Sequence, residues 1–189
     1  TSKTFNVTIN GDTVVEANET FTLSASNVVG ATVADGSAIG TILNDDLPQI
    51  SIADTSITEG NSGSKTLAFT VSLDQPGTST VSFGVSSSNG SATAGSDYTA
   101  INLTGQTITA GSTTRTINVT ISGDTVVAPD ETFTLVLNNV TGATVADGTA
   151  VGTIINDDQP ALSIADVSQA EGNSGVSTMT FTVTKDDQP

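Results

Sequence analysis

The 189-residue chain contains no cysteine, no histidine and no tryptophan, and only four Lys and Arg stand against twenty Asp and Glu, for a net charge of −16. Each shortage excludes a chemistry. Without His and Cys there is no Ser-His-Asp triad, no thiolate nucleophile, and no zinc, haem or iron–sulfur site built from the usual ligands. Nucleic-acid binding is driven by basic side chains that displace counterions from phosphate, so nucleic acid is not expected as a partner of this polyanion. No stretch approaches 18 uncharged apolar residues, and the first residues lack a charged-then-apolar layout. Neither membrane insertion nor a targeting segment is therefore expected. What remains for chemistry is carboxylates, hydroxyls and backbone carbonyls, hard oxygen donors that suit calcium or magnesium.

Large aromatics are also scarce, with six Phe and one Tyr, so the 35% hydrophobic content must build aliphatic cores. The composition is rich in β-branched Thr and Val and poor in the residues that populate helices, and an all-β fold follows. Internal repetition organises it. Thr4 to Val71 realigns without a gap on Thr116 to Val183, a shift of 112 residues, with about two thirds of positions identical. The shared words are GDTVV (from Gly11 and Gly123), ETFTL (Glu19, Glu131), GATVADG (Gly30, Gly142), NDD (Asn44, Asn156) and EGNSG (Glu59, Glu171). A period of 112 is too long for a solenoid unit and matches one immunoglobulin-sized β-sandwich of about 100 residues. The expected organisation is a tandem array of antiparallel sandwiches: residues 1–46 as the back part of one module, 47–158 as a complete module, and 159–189 as the front part of another.

Alternating apolar residues place seven strands in the complete module. They are A at Ile50–Ala53 with a continuation near Ile57, B at Thr66–Leu73, C at Thr80–Ser87, D at Tyr98–Ile108, E at Arg115–Ser122, F at Thr132–Asn138 and G at Ala150–Ile155. Turn residues between them, such as Gln75-Pro76-Gly77 and Ser88-Asn89-Gly90, reverse the chain each time. Counting reversals then locates the acids. The A–B, C–D and E–F loops and the end of strand G all fall at one end of the module. They carry Glu59, Asp97, Asp124, Asp130, Glu131, Asp157 and Asp158, whereas Asp54, Asp74 and Asp147 are scattered one to a loop. Like charges brought that close either raise their pKa values, stay splayed in water or hold a cation. Calcium, which takes 6 to 8 oxygens from flexible loops, is the expected ion.

The words Ala94-Gly95-Ser96-Asp97-Tyr98, Thr116 to Ile121 followed by Asp124, Asp130-Glu131-Thr132-Phe133 to Leu137, and Thr153-Ile154 with Asp157-Asp158 together resemble the Calx-beta domain. That domain is found in sodium/calcium exchangers, in an integrin cytoplasmic tail and in large bacterial surface proteins. The resemblance covers the central module and both partial ones. It implies an immunoglobulin-like sandwich with Ca²⁺ held where strand G finishes, by Glu59, Asp97, Asp124, Glu131, Asp157 and Asp158. Calcium-binding relatives often carry a further Glu three residues before Glu131, where this module has Ala128. The first segment keeps that residue as Glu16, beside Asp12, Glu19, Asp45 and Asp46, and Glu171 repeats Glu59 in the last segment. Fewer ions or weaker binding is thus expected in the central module.

Plainer roles stand beside these. Asp157-Asp158 and Asp45-Asp46 also suit solvated turns before Pro160 and Pro48, Glu59 and Glu171 suit polar positions in glycine turns, and Asp97 suits a loop cap. Tyr98 fits a core position. Functionally the leading expectation is a structural repeat of a long extracellular or cell-surface protein, an adhesin or filament stalk, with calcium stiffening the junctions between neighbouring modules and head-to-tail assembly open to it. A regulatory calcium sensor of the exchanger kind is the alternative. Catalysis is not expected, because the one Tyr and absent Trp leave no aromatic platform for a sugar cleft.

Overall fold

The computed structural model of the chain describes residues 1–186, so Asp187, Gln188 and Pro189 of the expected last segment lie outside the described residues. Among the described residues there are thirteen strands and no helix. The first segment contributes β1 (Glu19–Ser24) and β2 (Ser37–Ile42). The central module contains β3 (Gln49–Ile52), β4 (Thr55–Thr58), β5 (Ser64–Leu73), β6 (Val81–Asn89), β7 (Asn102–Ile108), β8 (Thr114–Ser122), β9 (Glu131–Thr141), β10 (Thr144–Asp147) and β11 (Thr149–Ile155). The last segment adds β12 (Leu162–Ile164) and β13 (Val183–Lys185).

The central module is a two-sheet sandwich, with strand order β10-β3-β5-β8 in one sheet and β4-β11-β9-β6-β7 in the other. Its core lies between them, where period-two alternation points one side chain of each pair inward. Leu67, Phe69, Val71 and Leu73 of β5, Val81, Phe83 and Val85 of β6, Ile117, Val119 and Ile121 of β8, and Phe133, Leu135 and Leu137 of β9 are all buried. The aromatic centre is compact: the Tyr98 ring stacks on Phe133 at 4.3 Å, and Phe69 meets Phe133 edge-on at 5.9 Å. The Tyr98 hydroxyl, buried with the ring, donates to Asn89 Oδ1 at 2.8 Å, which removes the cost of burying it.

Three local features differ from the alternation pattern. Strand A is broken at Ala53–Asp54, so that β3 pairs with β5 while β4 crosses to run parallel to β11. The Asp54 carboxylate accepts the Val151 amide at 2.7 Å and holds the crossing in place. Strand D was expected from Tyr98 but β7 begins at Asn102. Tyr98 is instead pinned across the sandwich by an isolated bridge to Ile121, so its neighbourhood cannot join the β6 ladder. The fully exposed β10, parallel to β3, was not anticipated, since four exposed residues leave no apolar signature.

The flanking segments copy the module at the 112-residue shift. Glu19↔Ile42 to Ser24↔Ser37 repeats Glu131↔Ile154 to Val136↔Thr149, and Leu162↔Lys185 to Ile164↔Val183 repeats Ile50↔Leu73 to Ile52↔Val71. Thr4–Asn10, the counterpart of β8, belongs to no strand. In the central module β8 is held by β5, and the first segment contains no counterpart of β5.

Candidate metal centre

The site forms where β4 and β11, running side by side in parallel, end together. The Glu59 amide donates to the Ile155 carbonyl at 3.2 Å, which seats the loop after β4 against the end of β11. Gly60 then turns with φ of 79°, a conformation L side chains rarely adopt, and its amide donates to Asp157 Oδ1 at 2.9 Å. Gly123, at the end of β8, lies so close that a Cβ there would collide with the Gly60 carbonyl oxygen. Only glycine permits this backbone-to-backbone contact, and it brings the following residue, Asp124, beside Glu59.

Carboxylate oxygens of Glu59, Asp124 and Asp158 consequently lie within 4.8 Å of one another. Glu59 and Asp158 are 8% and 7% exposed, an unusual burial for acids. Asp158 Oδ1 accepts from Asn61 Nδ2 at 3.0 Å, while its Oδ2 is buried with no hydrogen-bond partner. Asp124 Oδ1 accepts the Val126 amide at 2.7 Å, closing its own turn. Beside the trio a cavity of 230 Å³ is lined by Glu59, Asp97, Asp124 and Glu131, with Ala128 and Ile154 among the apolar lining. Asp97 caps its own loop, its Oδ2 accepting the Thr93 amide at 2.6 Å, and the residue also lines the cavity.

The acids of this cluster raise one another's pKa values. Burial pushes the Glu59 carboxyl up to about 7, and Asp124, Asp158, Asp157 and Glu131 push it the same way. Burial also raises Glu131, followed by the charge of Asp97, a hydrogen bond shared with Asp97, and Asp124. Asp158 is raised by burial, then by Asp157 and Asp124. Such a group of acids accommodates either protons or a cation, and a cation neutralises several carboxylates at once.

The remaining acids of the module are occupied by backbone amides. Asp54, Asp74, Asp130 and Asp147 accept from Val151, Gln49, Asn156 and Thr149 respectively. Asp130, counted at the acidic end by strand reversal, is thus a cap on the end of β11. In the first segment Asp12, Glu16, Glu19, Asp45 and Asp46 line a second cavity of 120 Å³. There Glu16 is raised, chiefly by Glu19 and then by burial, Asp12 and Asp46. Glu171 lies in an exposed segment between β12 and β13 and lines neither cavity. Two asparagines escaped sequence reasoning: Asn61, which orients Asp158, and Asn156, whose Nδ2 donates to the Asp158 carbonyl at 3.2 Å while its Oδ1 is buried without a partner. Both stand inside the repeated words EGNSG and NDD, close to acids of the cluster.

The sequence profile of the Calx-beta domain matches residues 1–46 and 43–159. Among solved structures, the apo-form Calx CBD1 domain aligns with a TM-score of 0.53 at 18% identity, covering 60% of this chain and 100% of that one. CBD12 from CALX1.2 aligns at 0.52 and 18%, and the structure described as the calcium binding domain CBD12 of CALX1.1 at 0.52 and 17%. Each of these two covers 62% of this chain, which spans 49% and 50% of their lengths. At these identities the likeness is one of fold. No curated protein sequence matches the chain.

Proposed function

Because the chain belongs to the Calx-beta domain family, we propose that it is a non-catalytic, calcium-binding structural repeat of a long extracellular or cell-surface protein, an adhesin or filament stalk. In this reading residues 1–46 are the C-terminal part of one module, 47–158 a complete one, and 159–189 the start of the next. The observation that carries it is the buried, partnerless Asp158 Oδ2 inside a trio of carboxylates at the end of β11. The donor set is entirely oxygen, which fits Ca²⁺. Glu59, Asp124 and Asp158 would hold the ion, with Asp97, Glu131 and Asp157 around it. The ion would supply charge neutralisation.

Position gives this chemistry a mechanical use. Asp157 and Asp158 belong to the short connection Asn156–Ala161 that joins β11 directly to β12. Asp157 takes the Gly60 amide and Asp158 takes Asn61, so the connection is tied to the loop after β4. Neutralising the cluster relieves the repulsion against those ties, and the connection stiffens. The test is thermal unfolding of the chain in EGTA, in millimolar Ca²⁺ and in millimolar Mg²⁺. At a hundredfold excess over Kd, one site adds about 2.7 kcal/mol, roughly 10 °C in midpoint for a module of this size. A Ca²⁺-selective rise supports the reading, and an unmoved midpoint overturns it.

A further inference from the structure

Residues 59–63 form the loop that presents Glu59, between Thr58 at the end of β4 and Ser64 at the start of β5. A cation spans its mouth. Lys65 turns back over the loop, and its Nζ donates to the Thr58 carbonyl at 2.7 Å. The side chain crosses the backbone so closely that a Cβ on Gly60 would lie 2.9 Å from Nζ and 3.2 Å from Cε. The two ends of the loop differ in support. Gly63 is fixed by the Gly123 amide, which donates to its carbonyl at 3.0 Å, and β5 pairs with β8 from Ser64↔Ser122 onward. Thr58 ends a four-residue strand at the edge of the other sheet, where its neighbour is β11. The Lys65 bond therefore joins the two sheets at the end where the acids collect, and a charged donor makes it stronger than a neutral one. At the 112-residue shift the place of Lys65 is taken by Ser177, although EGNSG is repeated unchanged, so this tie is a property of the central module.

We propose that Lys65 is a positioning residue for the ion: it staples the end of β4 to β5 and so holds Glu59 beside Asp124 and Asp158, ready for a cation. The proposal rests on the calcium reading. Gathering those carboxylates is opposed by their mutual repulsion, and a loop held in place beforehand loses less freedom when the ion binds. Glu59 directly follows Thr58, so a carbonyl fixed at Thr58 restrains the backbone that carries the ligand. The Glu59 amide bonded to Ile155 and the Gly60 amide bonded to Asp157 continue the same restraint across the loop. Charge alone predicts the opposite effect. An ammonium near a cation site repels the ion, so by Coulomb's law its removal should tighten binding. Positioning and repulsion thus differ in sign, and a measurement of affinity tells them apart.

The experiment compares the full wild-type chain with Lys65→Met, which keeps the apolar stem and removes the donor, and with Lys65→Arg, which keeps a charged donor. Calorimetric titration with Ca²⁺ gives the affinity, and amide hydrogen exchange in EGTA reports the loop without the ion. Partners that orient metal ligands contribute about 10–100-fold in affinity, and a loss of about tenfold is expected for Lys65→Met. Lys65→Arg should restore most of it. In EGTA the Glu59 and Gly60 amides of Lys65→Met should exchange about tenfold faster, while those of Leu67 and Phe69 in the β5 ladder keep their wild-type protection. Ca²⁺ binding by Lys65→Met that equals or exceeds wild type overturns the proposal and leaves the calcium reading standing. A loss of affinity that Lys65→Arg does not restore, or faster exchange spread through β5, also overturns it, because the effect is then one of general stability. A wild-type chain that binds no Ca²⁺ overturns the calcium reading and this proposal with it.

Discussion

Removing one charge from the acidic cluster should stabilise the ion-free chain and weaken it once calcium is present. The perturbation is Glu59→Gln, which keeps the size of the side chain and its capacity for hydrogen bonds. In the folded chain the Glu59 carboxyl is pushed from 4.5 up to about 7 by burial first and then by Asp124, Asp158, Asp157 and Glu131. The sign follows from proton linkage. Between those two values the folded chain holds more protons than the unfolded one, so stability falls as pH rises through the window and the full penalty stands above pH 7. A shift of that size corresponds to about 3 kcal/mol, and solvent reaching the cluster reduces it to about 2 kcal/mol. In EGTA at pH 8 the variant should melt roughly 8 °C above wild type. At pH 5, where Glu59 is already protonated in the folded state, most of that gain should vanish. In millimolar Ca²⁺ at pH 8 the order should reverse, because wild type gains a ligand the variant lacks. The assay is thermal unfolding followed by circular dichroism under the three conditions. A gain of equal size at pH 5 and pH 8 would refute the electrostatic reasoning, and a variant that keeps its advantage in Ca²⁺ would refute the assignment of Glu59 to the ion.

Other perturbations separate the parts of the argument. Asp124→Asn should abolish most of the Ca²⁺-dependent rise in midpoint while leaving the Val126 turn intact, since an amide oxygen still accepts that hydrogen bond; calorimetric titration should show Ca²⁺ affinity falling at least tenfold, about 1.4 kcal/mol. Ala128→Glu restores a carboxylate to the 230 Å³ cavity; the expected result is a lower midpoint in EGTA and tighter or additional Ca²⁺ binding in the titration. Phe133→Ala removes the ring on which Tyr98 stacks and should cost about 3–5 kcal/mol in denaturant unfolding, with or without Ca²⁺. Asn61→Ala leaves both carboxylate oxygens of Asp158 without a side-chain donor; a midpoint drop in EGTA larger than that in Ca²⁺ is expected, read by the same unfolding assay.

Much of this architecture is legible in the sequence because its two signals are strong. Alternation in β5, β8 and β9 puts one face of each strand in water and one in the core, so Leu67, Phe69, Ile117 and Phe133 are recognisable from spacing alone. The convergence of Glu59, Asp97, Asp124 and Glu131 on one cavity follows from counting chain reversals, which needs only the order of strands and turns. What is not legible depends on contacts without a periodic trace. The crossing of β4 to β11 rests on one carboxylate, Asp54, meeting one amide. The late start of β7 rests on Tyr98 being held by Asn89 and Phe133, two residues from different strands. The division of labour among the acids is equally hidden, for Asp130 and Asp124 sit six residues apart in one loop, yet the first caps Asn156 and the second faces Glu59.

The parallel pairing of β4 with β11 also determines how the module bears load. The chain enters at the start of β3 and leaves at the end of β11, at opposite ends of the sandwich. A pull on the two ends therefore drags β4 and β11 past each other along their length, and the ladder from Gly152↔Thr55 to Ile155↔Thr58 is sheared as a block. Its hydrogen bonds cannot open one at a time, as they would in a hairpin peeled from its tip. A force-extension trace should accordingly show one abrupt rupture per module, and a gradual yield at low force would contradict this geometry. The acidic cluster sits at the trailing end of that ladder, so an ion clamping Glu59 to Asp158 would act as a rivet across the strands under tension.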